Sequence, residues 1–278
     1  MNNAGIKRIL VALDASEANR STLQAATNLA SQLQAELQAL FIEDTNLLRL
    51  AELPFAREMM FGSQEGQRIT PANMERQIQE QATRLRQLVE ATALQHQIKV
   101  DFKVLRGQIS TELSLAAQQM DLLVMGKSSQ LVQQSLKLGD VAQAVLASVK
   151  CNVLLMQHGA TIERPVAVLF DGSEPSQRAL QLAIQLAHGD HDQLIVMYPA
   201  TTTDRQQALQ QQVATLTQPH DIEAGQIWLT SNTFEAVLQA VAKCHGRVLV
   251  VEAGNELLNP DAMKTLIQQS QTPVIVIR

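Results

Sequence analysis

Two kinds of hydrophobic pattern alternate along the chain. Short unbroken apolar runs, such as Ile9 to Leu13, Leu122 to Met125 and Val153 to Met156, suit strands buried on both faces. Between them, apolar residues recur at helical spacing. Leu23, Ala26, Leu29, Ala30 and Leu33 mark a helix between Ala18 and Leu37, and Met74, Ile78, Leu85, Leu88 and Val89 mark a longer one from Pro71 to about His96. Leu37 to Ile42 and Val100 to Leu105 read as further strands. Ser110 or Thr111 opens a helix to Met120, and Asp140 to Val149 is another. Strands that alternate with helices of this length imply right-handed crossovers and a parallel sheet.

The pattern then starts again. His158 to Arg164 is polar, contains Gly159 and precedes Pro165, which marks a linker. Beyond it, Val168-Leu-Phe-Asp171-Gly-Ser-Glu repeats Val11-Ala-Leu-Asp14-Ala-Ser-Glu at an offset of 157 residues. Further strands are expected at Val166 to Phe170, Gln193 to Tyr198, Ile222 to Leu229, Val248 to Val251 and Val274 to Ile277. Helices are expected through Leu180 to Leu186 and at Asp204 to Leu216, Phe234 to Ala242 and Ala262 to Gln269. An internal duplication, with domains at 1–158 and 164–278, accounts for the length better than one large domain. The segment from Asn46 to Ile69 breaks the rhythm. It is long for a connection and rich in Leu, Met and Phe, so it reads as a short helix plus loop over the sheet edge, or as a cover over a pocket or interface.

Composition narrows the function. Aromatics make up 3% of the chain, which weighs against base-stacking platforms, and a net charge of −5 argues against nucleic acid and anionic membrane as partners. Cys151 and Cys244 are too few for a disulfide framework or a Cys-based zinc site and read as reduced, half-buried thiols. The N-terminus runs straight into a strand with no signal-peptide core, and no apolar stretch is long enough to span a membrane, so a cytoplasmic protein is expected.

The stretch Asp121 to Asp140 carries the main candidate chemistry. A buried strand meets Gly126, a polar loop follows, and Gly139 opens a helix. Glycine lets a backbone approach an anion, and a helix N-terminus offers unpaired N–H groups. Gly126-Lys127-Ser128 is not a P-loop, because the earlier glycine would fall at Asp121. No G-x-G-x-x-G follows a strand, and no G-x-S-x-G elbow is present. His188, Asp190, His191 and Asp192 have metal-ligand chemistry but read as a polar turn, and His96 and His245 as filler. Asp14 and Asp171 lie at the carboxyl ends of first strands, where α/β sheets bind ligands, or cap the helices that follow. No acid–base or nucleophile constellation emerges.

With these residues in view, the chain resembles the universal stress protein (UspA) family in its tandem two-domain form. The resemblance rests on Val11-Ala-Leu-Asp14-Ala-Ser-Glu, on Val104-Leu-Arg-Gly107, on Asp121-Leu-Leu-Val-Met-Gly126 and on Cys151-Asn-Val-Leu-Leu-Met. It covers nearly the whole chain, more strongly in residues 1–157. It implies two tandem doubly wound α/β domains of the adenine nucleotide alpha hydrolase-like type. Each would be a five-stranded parallel sheet flanked by helices, with the two related by a pseudo-twofold axis and pairing through their last strands within one chain. A homodimer stays open.

Part of the family binds ATP through G-x2-G-x9-G-[ST]. Here Gly126 and Gly139 match, Ser129 replaces the second glycine and Asp140 the Ser or Thr. By resemblance, Asp14 would contact a ribose and Ile42 the adenine region. Ser129 restricts the backbone, and Asp140, read as an N-cap, would occupy the helix's own donors and repel a phosphate, with Lys127 and Lys137 offsetting part of this. In the second half Glu252 stands at the Gly126 position and the following loop is shorter by about five residues. The expected function is therefore a stress-response protein acting by binding, without catalysis, on protein partners or a small-molecule ligand. One alternative is an ATP-binding, weakly hydrolysing switch through the first half. Another is a binder of an apolar small molecule under the 46–69 segment.

Overall fold

The computed structural model describes residues 5–14, 19–53, 57–58, 67–68, 70–127, 138–157, 159–187, 193–244 and 246–278. The first half runs β1 (Arg8–Leu13), α1 (Asn19–Leu33), β2 (Glu36–Asp44), α2 (Thr45–Ala51), β3 (Arg57–Glu58), β4 (Gln67–Arg68), α3 (Pro71–His96), β5 (Val100–Gly107), α4 (Ile109–Ala117), β6 (Leu122–Gly126), α5 (Asp140–Ser148) and β7 (Asn152–Met156). The second half runs β8 (Val166–Leu169), α6 (Glu174–Ala187), β9 (Leu194–Tyr198), α7 (Thr203–Thr217), β10 (Ala224–Trp228), α8 (Phe234–Lys243), β11 (Val248–Glu252), α9 (Pro260–Gln269) and β12 (Val274–Ile277).

Ten strands form one sheet in the order β10-β9-β8-β11-β12-β7-β6-β1-β2-β5. Within each half the pairing is parallel, and the two halves carry the same strand order. They meet at β7 and β12, which pair antiparallel with Ile275 opposite Leu154, flanked by Val274 opposite Leu155 and Val276 opposite Val153. Equivalent strands that meet head to tail are the signature of a twofold relation, and the junction removes two sheet edges.

Period-two alternation sends successive side chains to opposite faces. Ile9, Val11 and Leu13 of β1 pack with Leu23 and Leu29 of α1 and with Ile78, Leu85 and Val89 of α3. Leu10 faces the other layer, with Leu113 of α4 and Val145 of α5. Both layers cross the seam: Leu154 and Ile275 lie in the first, Leu155 and Val276 in the second. Burying each such side chain contributes roughly 1.5–3 kcal/mol, so the seam is part of the core on both faces.

The helix at α3 has the expected bounds because its ends carry local signals. The Thr70 hydroxyl accepts from the Asn73 amide at 3.3 Å, Pro71 opens the first turn, and Gln97 closes the helix at φ 53°. By contrast, α1 stops at Leu33, short of the expected span, because Gln34 takes φ 52° and the chain joins β2 at Glu36. Ala35 and Leu37 fit either periodicity. The unusual 46–69 segment contains most of α2, whose Leu47 and Leu50 are exposed, then Glu52 and the exposed Leu53, and the short β3–β4 pair; 54–56, 59–66 and 69 lie outside the described residues. Among the described residues no helix is long and apolar enough to cross a membrane.

Candidate functional site

The carboxyl ends of β2, β1 and β6 lie side by side, with Leu13 opposite Phe41 and Val11 opposite Val124. Continuing these registers places Asp14 beside Ile42 on one flank and Lys127 on the other, with Gly126 opposite Leu13. Parallel strands around a central β1 therefore gather three of the expected site residues at one sheet edge. The half-buried Ile42 packs onto the layer formed by α4 and α5. Asp14 is tied down through its main chain. Its amide donates to Asn19 Oδ1 at 2.9 Å, and Asn19 Nδ2 donates back to the Asp14 carbonyl. Asn19, the first residue of α1, thus fixes the turn between strand and helix.

The glycine frame is held by Lys127. Its amide donates to the Met156 carbonyl at 2.9 Å, and its own carbonyl accepts from the Gly139 amide at 2.9 Å. The two ends of the loop are pinned together at the tip of β6. Ser129 and Lys137 lie in 128–137, outside the described residues. Two expectations are corrected here. Asp140 is not the N-cap. Gly139 holds that position at φ −60° and ψ 150°, and Asp140 is the exposed first helical residue. Gly139 has no side chain to donate to, so among the described residues the α5 N-terminus carries no side-chain cap and its amides are not consumed by Asp140. The second correction concerns Lys127. Its ammonium donates to the carbonyls of Ser270 and Thr272, at 2.9 and 3.0 Å, in the second half. The charge expected to offset Asp140 is engaged elsewhere.

The second half shows what happened to the equivalent site. Glu252 ends β11 opposite Ile277, as Gly126 ends β6 opposite Met156. From Glu252 to Ile277 the chain takes 25 residues, against 30 from Gly126 to Met156, so the connection to the last strand is shorter by five, as expected, and the helix cap follows seven positions later, at Asn259, against thirteen from Gly126 to Gly139. The Asn259 side chain accepts from the Ala262 amide at 2.9 Å, capping α9 at the position where α5 has the side-chain-less Gly139. Asn255 Nδ2 donates to Asp171 Oδ2 at 3.1 Å, the Ser173 amide donates to Asp171 Oδ1 at 2.8 Å, and the Ser173 hydroxyl donates to Glu252 Oε2 at 3.4 Å. Gly172, at φ 86°, backs onto Leu209 and Gln212 of α7, and Arg205 Nη2 donates to the Asp171 carbonyl at 3.1 Å. Burial, then the nearby Asp171 charge, pushes the Glu252 carboxyl above its ordinary range. Asp171 is also desolvated, but its bonds to Ser173 hold it below its ordinary range.

Other candidates contribute less. Both cysteines are free, Cys244 buried and Cys151 half-buried, and burial pushes both thiols up. Among the described residues no cluster of His, Cys, Asp and Glu could hold a metal, and 188–192 and His245 lie outside them. A cavity of about 110 Å³ lies by Ile6, Asn152, Gln181 and Ile277, and one of about 280 Å³ by Gln32, Ile162 and Leu186; both are away from Asp14 and Gly139.

The sequence model of the universal stress protein family matches residues 5–157 and 163–251. The chain belongs to the universal stress protein family. A universal stress protein from Archaeoglobus fulgidus is similar in structure over 99% of this chain and 97% of its own, at 19% identity and a TM-score of 0.70. A functionally unknown protein from Pseudomonas aeruginosa is similar over 98% of this chain and 92% of its own, at 12% identity and a TM-score of 0.61. Among curated proteins no match was found. In this universal stress protein, sequence reasoning overlooked Asn19, Ser173 and Asn255. Asn255 had a signal, since it falls in the shortened loop three positions after a carboxylate that lacks a partner in sequence. The Ser270 and Thr272 contacts had no signal, because carbonyl acceptors carry no residue identity.

Proposed function

We propose that this universal stress protein acts in the stress response by binding, without catalysis, and that it reads a small ligand once, in the first half. The observation behind this is a contrast between equivalent positions. The first half keeps the Gly126–Gly139 frame, with an α5 N-terminus that has no side-chain cap among the described residues. The second half fills the same place with its own Asn255, Ser173 and Glu252, and caps α9 with Asn259. A division into a reading domain at 1–158 and a closed domain at 164–278 goes with this proposal, as do a cytoplasmic location and protein partners that respond to the ligand. Calorimetric titration of the full chain with magnesium and ATP, followed by assay of released phosphate, tests it. One site at most and no turnover are expected. Two equivalent sites, or steady hydrolysis, overturn it.

This helix N-terminus also favours ATP as the ligand, held by the α5 amides, with Asp14 toward the ribose and Ile42 toward the base. The exposed Asp140 carboxylate weakens this reading, and Lys127 does not offset it. No heat at millimolar ATP removes it; binding that is lost in Gly126→Val supports it. Exposed Leu47 and Leu50 on α2 keep a further reading, an apolar ligand under the 46–69 segment. Mass spectrometry of a solvent extract of the purified protein decides that case, and an empty extract counts against it.

A further inference from the structure

Lys127 is 6% exposed, yet it carries an ammonium whose acceptors are two main-chain carbonyls. A buried cation costs free energy unless its donors are satisfied, so this geometry is a demanding one for the chain to keep. The main chain of Lys127 holds the frame, with its amide on Met156 of β7 and its carbonyl on the Gly139 amide. Its side chain crosses to the turn between α9 and β12. That turn is closed by the Ser270 hydroxyl, which accepts from the Thr272 amide at 3.2 Å, and it leads into β12, the strand paired with β7. Lys127 therefore links β7 to the turn that leads into β12. Its counterpart in the second half is Ala253, whose amide donates to Ile277 as that of Lys127 donates to Met156. Alanine has no donor to send back, so the connection runs one way, from the frame of the first half to the second.

We propose that Lys127 is a positioning residue through which the closed second half sets the geometry of the Gly126–Gly139 frame. Its consequence for ligand binding rests on the reading of the first half given above, but the connection itself is a property of the unliganded chain. The second half then has a role although its own site is filled: it fixes the spacing of the loop ends that face a ligand.

Amide hydrogen exchange on the full chain without ligand tests this. Ser270→Ala removes the clasp of the turn, and the Ser270 hydroxyl bonds within the second half. In otherwise unchanged protein it should speed exchange at the Gly139 amide about tenfold, the change expected for loss of a hydrogen bond to a charged group. In a Lys127→Met background the Gly139 amide exchanges faster from the outset, and adding Ser270→Ala changes nothing further. An unchanged Gly139 amide in Ser270→Ala, or an equal effect in both backgrounds, overturns the proposal. If Lys127→Met does not fold, Lys127→Gln serves as the background. A failed ATP titration leaves this result untouched, so the two readings fail separately.

Discussion

Asn255 Nδ2 donates to Asp171 Oδ2 at 3.1 Å, across the carboxyl ends of β11 and β8, the second-half counterparts of β6 and β1. The same asparagine accepts from the Leu257 amide at 3.0 Å, so it also shapes the short loop. Removing it takes one hydrogen bond from the half-buried Asp171 carboxylate, which keeps the Ser173 amide. Asn255→Ala is expected to lower stability by about 1–3 kcal/mol in urea unfolding, the range for breaking a hydrogen bond to a charged group. A loss within measurement error would show that the loop closes without it.

Glu252 gives a pH test of the same cluster. Its folded pKa lies above the ordinary value, through burial and the Asp171 charge. The stability it contributes is present below the ordinary carboxyl pKa of 4.5 and is lost as pH rises through the folded value. Glu252→Gln removes that loss. Measured by denaturation, the variant should be more stable than the parent at pH 7, and the difference should vanish toward pH 4. A variant less stable at pH 7 would mean that the Ser173 contact outweighs the burial of charge.

The fold was legible because nearly every element carries a signal of its own. Ile9 to Leu13 and Val274 to Ile277 are unbroken apolar runs that end in β1 and β12, and Thr70, Pro71 and Gln97 bound α3. The candidate site was legible where it depends on strand ends, as at Asp14, Ile42 and Gly126. It was not legible where a side chain chooses between neighbours from different halves. Nothing local tells the Lys127 ammonium to leave the loop for the Ser270 and Thr272 carbonyls, and nothing local shows that Gly139 rather than Asp140 occupies the cap.

Tyr198 sits in the core of the second half, stacked on Trp228 at 4.4 Å and edge-on to Phe170 at 6.3 Å. Its hydroxyl is buried without a hydrogen-bond partner, and burial pushes its pKa up to about 12. An unpaired buried hydroxyl opposes folding, so Tyr198→Phe should leave stability unchanged or raise it by about 1 kcal/mol. A loss of similar size in urea unfolding would reveal a bond to the hydroxyl.

Gly139 takes φ −60°, which any residue adopts, so its conformation does not require glycine. Gly139→Ser adds a capping side chain at the N-cap position of α5, where glycine has none. Thermal unfolding should show a gain of a few tenths of a kcal/mol, the difference between Ser and Gly at a helix cap. If an anion is read at this helix terminus, its affinity falls in the same variant, because the serine hydroxyl competes for the amides. Stronger anion binding in Gly139→Ser would place the ligand elsewhere.

Lys127 supplies a second pH test, of opposite character to Tyr198. Burial lowers its pKa from 10.5 to about 8 in the folded chain. Below pH 8 the ammonium is charged in both states, and its burial opposes folding. Between 8 and 10.5 the unfolded chain binds more protons, so stability rises with pH and the gain is complete above the unfolded value. The difference corresponds to about 3 kcal/mol across the window. Tyr198 works against this at the upper end, since its raised pKa removes stability as pH rises from 10 toward 12. Comparison with Lys127→Met isolates the lysine, because both proteins keep the tyrosine. Urea unfolding at pH 7.5 and 10.5 should show the parent gaining on the variant by that amount; parallel pH profiles would show that the ammonium is solvated in the folded protein and does not cross the seam.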